Sequence, residues 1–202
     1  NRLGREANAF DAALDYKEIT EIIRKKDRRK FLFTIDFLPE EGKYHYDGHR
    51  QCNVIFSPLQ TRANQYLCPQ CKKKLTVGVM HRVEELADRP EGFVPKNAIP
   101  SIHLIPLEEI IAEARGYSVG TKAVEAEYER LVEKGGSEFH ILLEATPDEL
   151  ATYVPERTLE GIVRMRQGKV SIIPGHDGVY GKISLFPERE KGEEPKEQLK
   201  LF

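Results

Sequence analysis

All three cysteines of this chain lie in one short stretch, and their spacing constrains how that stretch can fold. Cys52 follows His49 by three positions, and Cys71 follows Cys68 by three positions after fifteen intervening residues. A two-residue spacer lets one tight turn aim two donors at a single ion, and two such turns supply a tetrahedral zinc site. Three cysteines cannot form two disulfides, so metal binding explains the stretch better than a disulfide framework or free buried thiols do.

Thiolate and imidazole groups both suit zinc, and spacing favours His49 as the fourth ligand. His45 and His81 remain alternatives, because both lie within reach of the cysteines along the chain. Four protein ligands leave no open coordination position, so we expect a structural zinc site and not a hydrolytic one.

The pattern of apolar residues predicts a mixed α+β fold in several parts. Residues 1–40 contain a helix that Asp15 can cap and an alternating strand at 31–37, which is typical of the last unit of an α/β layer. Residues 41–80 are poor in apolar residues, so a metal is expected to replace a core there. Residues 81–186 alternate helices and strands, with a buried strand predicted at "FHILL" (139–143), and form a compact mixed lobe.

Composition excludes several classes of protein. The net charge is −2, so any contact with nucleic acid must come from local basic faces. No run of about 18 apolar residues exists, which excludes a membrane-spanning helix. The few cysteines and the absence of an apolar signal segment predict a reducing, cytoplasmic location. No P-loop, nucleophile elbow or catalytic carboxylate pair is present, and "GHDGVYG" is typical of a hairpin turn.

Several stretches together resemble the endonuclease Q family, from Gly4 to about Phe186: "GREANAFD", "FLPEEGKYHYDGHRQC", "CPQC", "LTVGVMHRVEELADRP", "LIPLEEIIAEA" and "GIVRMRQGKVSIIPGHDGVYGKI". The resemblance implies that residues 1–40 are the end of a PHP-type (polymerase and histidinol phosphatase) β/α barrel. It implies that 41–80 are a zinc-binding module and 81–186 a DNA-binding lobe. The implied activity is repair cleavage of DNA on the 5′ side of deaminated bases (uracil, hypoxanthine, xanthine) or abasic sites.

In that family the catalytic metal ligands lie upstream of the stretch that matches "GREAN". This chain is therefore expected to carry the structural zinc but none of the ligands of the catalytic divalent metals, and not to cleave DNA alone. The alternatives are a non-catalytic zinc-containing DNA-binding adaptor and a helicase-associated domain.

A deaminated base must leave the helical stack to be read, and the phosphates beside it must be held by cations. The candidate base contacts flank the zinc module or lie in the glycine-rich turn: His81, Arg82, Asp177 and Tyr180. The candidate phosphate contacts are basic residues ahead of that turn or near the start of the chain: Arg5, Arg164, Arg166 and Lys169. Solvated helix faces and turn residues are the alternative interpretation of these positions.

The last residues, 187–202, are rich in charge, which predicts a disordered tether. Their final five residues, "QLKLF", resemble the peptide that repair proteins insert into the sliding clamp. Leu199, Leu201 and Phe202 would fill apolar clefts and Gln198 would make the polar contact. The sequence thus predicts two partners, damaged DNA and the sliding clamp, unless the apolar end folds back onto the lobe.

Overall fold

The structure, a computed structural model, describes residues 6–90 and 92–186. The predicted DNA contact Arg5 and the predicted clamp peptide, with Gln198, Leu199, Leu201 and Phe202, lie outside the described residues. The described residues divide into two compact units, one formed by residues up to 105 with 172–182 and the other by 106–171 with 183–186. The boundaries at 40, 80 and 186 that the sequence suggests stay a prediction.

The first unit mixes short strands and helices. In chain order its elements are β1 (Ala7–Phe10), α1 (Tyr16–Lys25), β2 (Phe31–Asp36), β3 (Asp47–His49), β4 (Val54–Phe56), α2 (Pro58–Ala63), α3 (Val79–Leu86) and β5 (Ser101–His103). Single turns of 3-10 helix cover Pro39–Glu41 and Arg50–Cys52.

A three-stranded sheet in the order β1-β2-β5 forms one part of this unit. β1 is antiparallel to β2, whereas β2 and β5 are parallel, with Ile35 opposite Ile102. The predicted cap of α1 is confirmed, because Asp15 accepts a hydrogen bond of 2.9 Å from the backbone N–H of Glu18. Helix α1 ends at Lys25, because the next residue, Lys26, has a left-handed backbone conformation.

The other part of the first unit, which we call the zinc module, covers residues 39–86. β3 and β4 form an antiparallel hairpin, in which His49 pairs with Val54. Its buried cluster consists of Val54, Cys68 and Leu75, with Cys52 and Phe56 packed against it. A cluster of this size buries little apolar surface. Two of its five members, Cys52 and Cys68, are potential metal ligands, so a bound metal would stabilise the module where the core cannot.

The second unit is helical. It contains α4 (Leu107–Arg115), α5 (Lys122–Gly135), a π-helical segment (His140–Glu144), α6 (Pro147–Ala151) and α7 (Glu156–Arg166). α4 packs against both α5 and α7, burying Ile110 and Ile162 completely. A Cβ on Gly161 would lie 2.7 Å from Cγ2 of Ile110, so glycine is needed where α7 approaches α4. The helices that periodicity predicts here are confirmed, and Thr146 caps α6.

The prediction of a strand at 139–143 is wrong, because the segment His140–Glu144 forms a π-helical turn. Ile141 and Leu142 are buried as expected, but a short apolar run cannot distinguish a strand from a buried helix. What stabilises the irregular turn is Arg166, whose guanidinium donates hydrogen bonds to the carbonyls of Ile141, Leu142 and Ala145 at 2.7–2.9 Å.

Two short strands, β6 (Ser171–Ile173) and β7 (Lys182–Ser184), flank the predicted hairpin turn. The boundaries between the two units fall inside these strands, after residues 171 and 182. The mixed α+β fold class is confirmed. No helix among the described residues is long and apolar enough to cross a membrane. The cytoplasmic location stays a prediction.

Candidate metal centre and DNA-contact residues

Four potential metal ligands meet in the zinc module: His49, Cys52, Cys68 and Cys71. Their donor atoms all lie within 4.8 Å of one another. Nδ1 of His49 is 3.7 Å from Sγ of Cys71, and a tetrahedral zinc ion with ordinary bond lengths would place these two atoms about 3.6 Å apart. The donor set and its size therefore fit one zinc ion.

Each ligand pair is positioned by a turn that ends in a left-handed residue. His49 ends β3, the 3-10 turn carries Cys52, and Asn53 then reverses the chain with a φ of 49°. In the second pair, the N–H of Cys68 donates to Lys73 O at 2.8 Å, and Lys72 follows Cys71 with a φ of 61°. The same local geometry at both pairs aims two side chains into one space.

The electrostatics of the three thiols also favour a cation. Burial raises the pKa of Cys52 to about 11, and hydrogen bonds with Cys71 and Cys68 add to the shift. Burial opposes ionisation of Cys68 too, but backbone hydrogen bonds from Cys71 and Gln70 lower its pKa below the usual value. Three adjacent thiolates repel one another unless a cation compensates their charge, and a divalent ion provides that compensation.

The structure brings His49, and neither His45 nor His81, to the three sulfurs. His81 is only 4% exposed, with Nδ1 2.7 Å from Oδ2 of Asp47 and Nε2 3.2 Å from the hydroxyl of Tyr66. Both ring nitrogens therefore have partners inside the module. This placement favours a structural role for His81 over the predicted contact with a base.

Asp47 is a residue whose importance sequence reasoning did not identify. Its side chain is fully buried and accepts hydrogen bonds of 2.7 Å from the backbone N–H of Gly78 and from His81. These contacts connect β3, which carries the candidate ligand His49, to the start of α3. The sequence feature that could have identified Asp47 is its position two residues before the candidate ligand His49 in the same strand.

The glycine turn, Gly175–Gly181, docks on the zinc module through its backbone. Gly175 N–H donates to Glu40 O at 2.8 Å, and Gly178 N–H donates to Lys43 O at 2.9 Å. A Cβ on Gly175 or Gly181 would overlap the carbonyl oxygens of the segment beneath it. Glycine is therefore required for this close approach of two backbones.

Asp177 and Tyr180 occupy different environments within the glycine turn. Asp177 accepts hydrogen bonds from Arg50 N at 2.7 Å and from Thr76 Oγ1 at 2.5 Å. Partial burial alone would raise the pKa of Asp177, but these hydrogen bonds lower it below its usual value. Its carboxylate thus joins the turn to the module, whereas Tyr180 is 72% exposed and free to contact a ligand.

The remaining predicted contacts are basic residues. Arg82 is exposed on α3 and pairs with Glu85 at 2.9 Å. In the second unit, Arg166 uses its guanidinium on the π-helical segment, which favours a structural role. Arg164 pairs with Glu160 at 2.9 Å, and together with the exposed Lys169 it lines an open groove of about 440 Å³ beside α7.

Comparisons with known proteins agree with this architecture. Residues 106–169, which include all the helices of the second unit, match the model of the MJ0043 C-terminal domain family. The protein MJ0043 of Methanocaldococcus jannaschii is 36% identical over 194 residues, which are 94% of this chain and 24% of that protein. The protein YqxK of Bacillus subtilis is 31% identical over 184 residues, which are 90% of this chain and 43% of that protein.

Two solved structures match almost the whole chain. The lesion-specific endonuclease PfuEndoQ from Pyrococcus furiosus is 31% identical with a TM-score of 0.80, over 98% of this chain and 48% of that one. Endonuclease Q in complex with a 27-mer duplex that carries an abasic lesion at the active site is 30% identical with a TM-score of 0.76, over 98% of this chain and 49% of that one. The predicted resemblance is thus confirmed, and the chain spans about half the length of these structures.

Proposed function

We propose that this chain is the C-terminal part of a DNA-repair endonuclease that nicks DNA on the 5′ side of deaminated bases or abasic sites. The observation that carries the proposal is the match to PfuEndoQ over 98% of the chain. A second neighbour was solved with an abasic duplex in its active site, which supports damaged DNA as the substrate class. In this proposal the chain contributes a structural zinc ion and part of the surface that holds the damaged strand.

The zinc ion would act by cross-linking two turns and not by activating water. His49 and Cys52 belong to the β3–β4 hairpin, and Cys68 and Cys71 to the following turn. With four protein ligands no coordination position is left for a substrate or a water molecule. The ion would hold the hairpin rigid, and the hairpin in turn positions the glycine turn through Asp177.

Damaged DNA would be held by side chains that are exposed or, for Arg164, half-buried. Tyr180 and Arg82 are the proposed contacts to the base or its neighbours in the first unit, and Arg164 and Lys169 are the proposed phosphate contacts in the second. Arg5 stays part of the proposal as a further phosphate contact. Asp177, His81 and Arg166 would act indirectly, through the backbone groups and side chains with which they form hydrogen bonds.

Hydrolysis itself would require the catalytic divalent metals of an N-terminal PHP domain. Such metals generate the attacking hydroxide and stabilise the leaving oxygen of the phosphodiester. Among the described residues the one group of donors suited to a metal is the closed four-ligand site. That observation also favours a second candidate function, a zinc-containing adaptor that binds DNA without cutting it.

A nicking assay separates these two functions. Duplexes that contain uracil, hypoxanthine or an abasic site would be incubated with this chain and with the longer protein that includes the upstream domain. We expect binding by both and cleavage by the longer protein alone. Binding by both with cleavage by neither would establish the adaptor, and cleavage by this chain would overturn the assignment of catalysis to another domain.

Metal removal tests the role of the zinc module. We expect one zinc per chain by elemental analysis, and loss of zinc in the Cys71→Ser variant. Chelation should open the module and weaken binding to the damaged duplex, since the hairpin supports the glycine turn. An unchanged fold and unchanged binding after complete metal removal would contradict this role.

The clamp peptide is a separate proposal. Deleting Gln198 to Phe202 should abolish binding to the sliding clamp and leave binding to damaged duplexes unchanged, because the peptide is short and terminal. Clamp binding by the truncated chain would exclude the peptide as the docking element.

A further inference from the structure

Two exposed tyrosines and one lysine form a cluster on the first unit. Nζ of Lys43 lies 5.7 Å from the ring centroid of Tyr44 and 5.7 Å from that of Tyr180. The exposed fractions are 47% for Tyr44 and 72% for Tyr180. The two residues lie far apart in sequence, so only the folded first unit brings these rings to one cation.

The backbone holds this cluster in place. Gly178 N–H donates to Lys43 O at 2.9 Å, which joins the glycine turn to the segment that carries Lys43 and Tyr44. The hydroxyl of Tyr44 and Nη1 of Arg50 lie 3.6 and 3.7 Å from the position of a Cβ on Gly178, so a second cation converges on the same surface. Arg50 is itself anchored, since its N–H donates to Asp177 at 2.7 Å. We call Lys43, Tyr44, Arg50 and Tyr180 the tyrosine–cation surface.

We propose that the tyrosine–cation surface binds an unstacked nucleotide, with the base stacked on a tyrosine ring and the phosphate held by Lys43 and Arg50. Aromatic side chains beside cations bind single-stranded nucleic acid in this way, because every base has a π-face and every nucleotide has an anion. One ligand then satisfies both features of the surface. An acidic peptide would satisfy the cations alone and would gain nothing from the exposed rings.

The proposal also specifies which form of DNA is bound. In an intact duplex both faces of a base are covered by its neighbours, so a tyrosine can stack only on a base that has left the helix. The surface should therefore prefer single strands, and duplexes opened by an abasic site, over intact duplex. This inference rests on the proposed function, because it assigns part of the strand-holding role to particular residues.

The chain contains no tryptophan, which allows a direct spectroscopic test. The variant Tyr180→Trp carries the single indole of the protein, and stacking of a base on that indole quenches its fluorescence. The matched control is Tyr16→Trp, which places an indole on the exposed surface of α1. The probe is a fifteen-nucleotide single strand of thymidines, roughly the length that one such binding surface spans.

We expect the probe to quench Tyr180→Trp and to leave Tyr16→Trp unquenched. In parallel, Tyr180→Leu should weaken binding of the single strand roughly tenfold or more, while Tyr180→Phe keeps the ring and preserves affinity. Tyr16→Leu should bind as the unaltered chain does. Lys43→Gln should reduce the salt dependence of binding, because one phosphate contact is lost.

Each failure has its own interpretation. The first case is that the unaltered chain binds the abasic duplex and that Tyr180→Leu binds the single strand and the abasic duplex as tightly as the unaltered chain does. This result would exclude the tyrosine–cation surface and leave the proposed function standing. If the unaltered chain binds neither DNA, the proposed function fails and the inference fails with it. Quenching of Tyr180→Trp by an acidic peptide and not by the single strand would also overturn the nucleotide assignment.

Discussion

Replacement of Asp47 tests how the buried polar network supports the zinc module. Its carboxylate accepts hydrogen bonds from Gly78 N and from Nδ1 of His81, both at 2.7 Å. A carboxylate at this position accepts and does not donate, so the imidazole hydrogen lies on Nδ1. The other ring nitrogen, Nε2, is hydrogen-bonded to the hydroxyl of Tyr66 at 3.2 Å.

Asp47→Ala would leave two buried donors without an acceptor. Each such group costs about 1–3 kcal/mol, so the free energy of unfolding of the module should fall by about 2–6 kcal/mol. Asp47→Asn can instead keep both contacts, because its oxygen accepts from Gly78 and its NH2 donates to Nδ1 once the imidazole hydrogen moves to Nε2. In that tautomer the hydroxyl of Tyr66 accepts from Nε2, and the loss should be about 1–2 kcal/mol, the difference between charged and neutral hydrogen bonds.

The assay is a urea titration of the zinc-loaded chain after removal of free zinc, in which metal release to a chromogenic chelator reports opening of the module. Asp88→Ala is the matched control, because the side chain of Asp88 is 77% exposed; it should change stability by less than about 0.5 kcal/mol. A loss for Asp47→Asn equal to that for Asp47→Ala would refute the exchange of hydrogen positions. A loss below about 1 kcal/mol for Asp47→Ala would refute the role of the network itself.

Two further predictions concern the second unit. Arg166→Met should lower the free energy of unfolding by about 2–4 kcal/mol in a denaturant titration, because three carbonyls lose their donor, whereas Lys169→Met should change it by less than about 0.5 kcal/mol; equal effects would contradict the structural role of Arg166. Hydrogen bonds to Glu144 and then to Glu149 raise the pKa of His140, so its contribution is complete below the ordinary histidine pKa and is lost as pH rises through the raised value. The stability difference between the unaltered chain and His140→Gln should therefore be larger at about pH 5.5 than at about pH 8.5, and a difference independent of pH would exclude this interaction.

The candidate metal centre was predictable because its geometry is local. Each ligand pair spans three positions, and a single turn with a left-handed residue after the cysteine aims both donors the same way. The spacing of His49, Cys52, Cys68 and Cys71 therefore contained most of the information about the site. The cap of α1 was predictable for the same reason, since its hydrogen bond joins residues three positions apart.

The roles of the charged residues were not predictable from local pattern. From the sequence, Arg166 is a candidate phosphate contact in a basic group ahead of the glycine turn. In the structure, its guanidinium donates hydrogen bonds to carbonyls 21 to 25 positions away. From the sequence, His81 is a candidate base contact or an alternative zinc ligand, yet Asp47 and Tyr66 occupy both of its ring nitrogens. A long side chain reaches many partners, and which one it meets depends on packing that no short segment specifies.

By itself, the sequence determined the three cysteines of the candidate metal centre, the mixed α+β class and most of the helices, because spacing along the chain and local backbone turns decide these features. Tertiary structure alone decided that the glycine turn would dock on the zinc module, where Asp177 meets Arg50 across 127 positions. It also decided that Tyr44 and Tyr180 would share one lysine. Contacts of that range depend on how separate elements pack, and the order of residues within each element does not encode the meeting point.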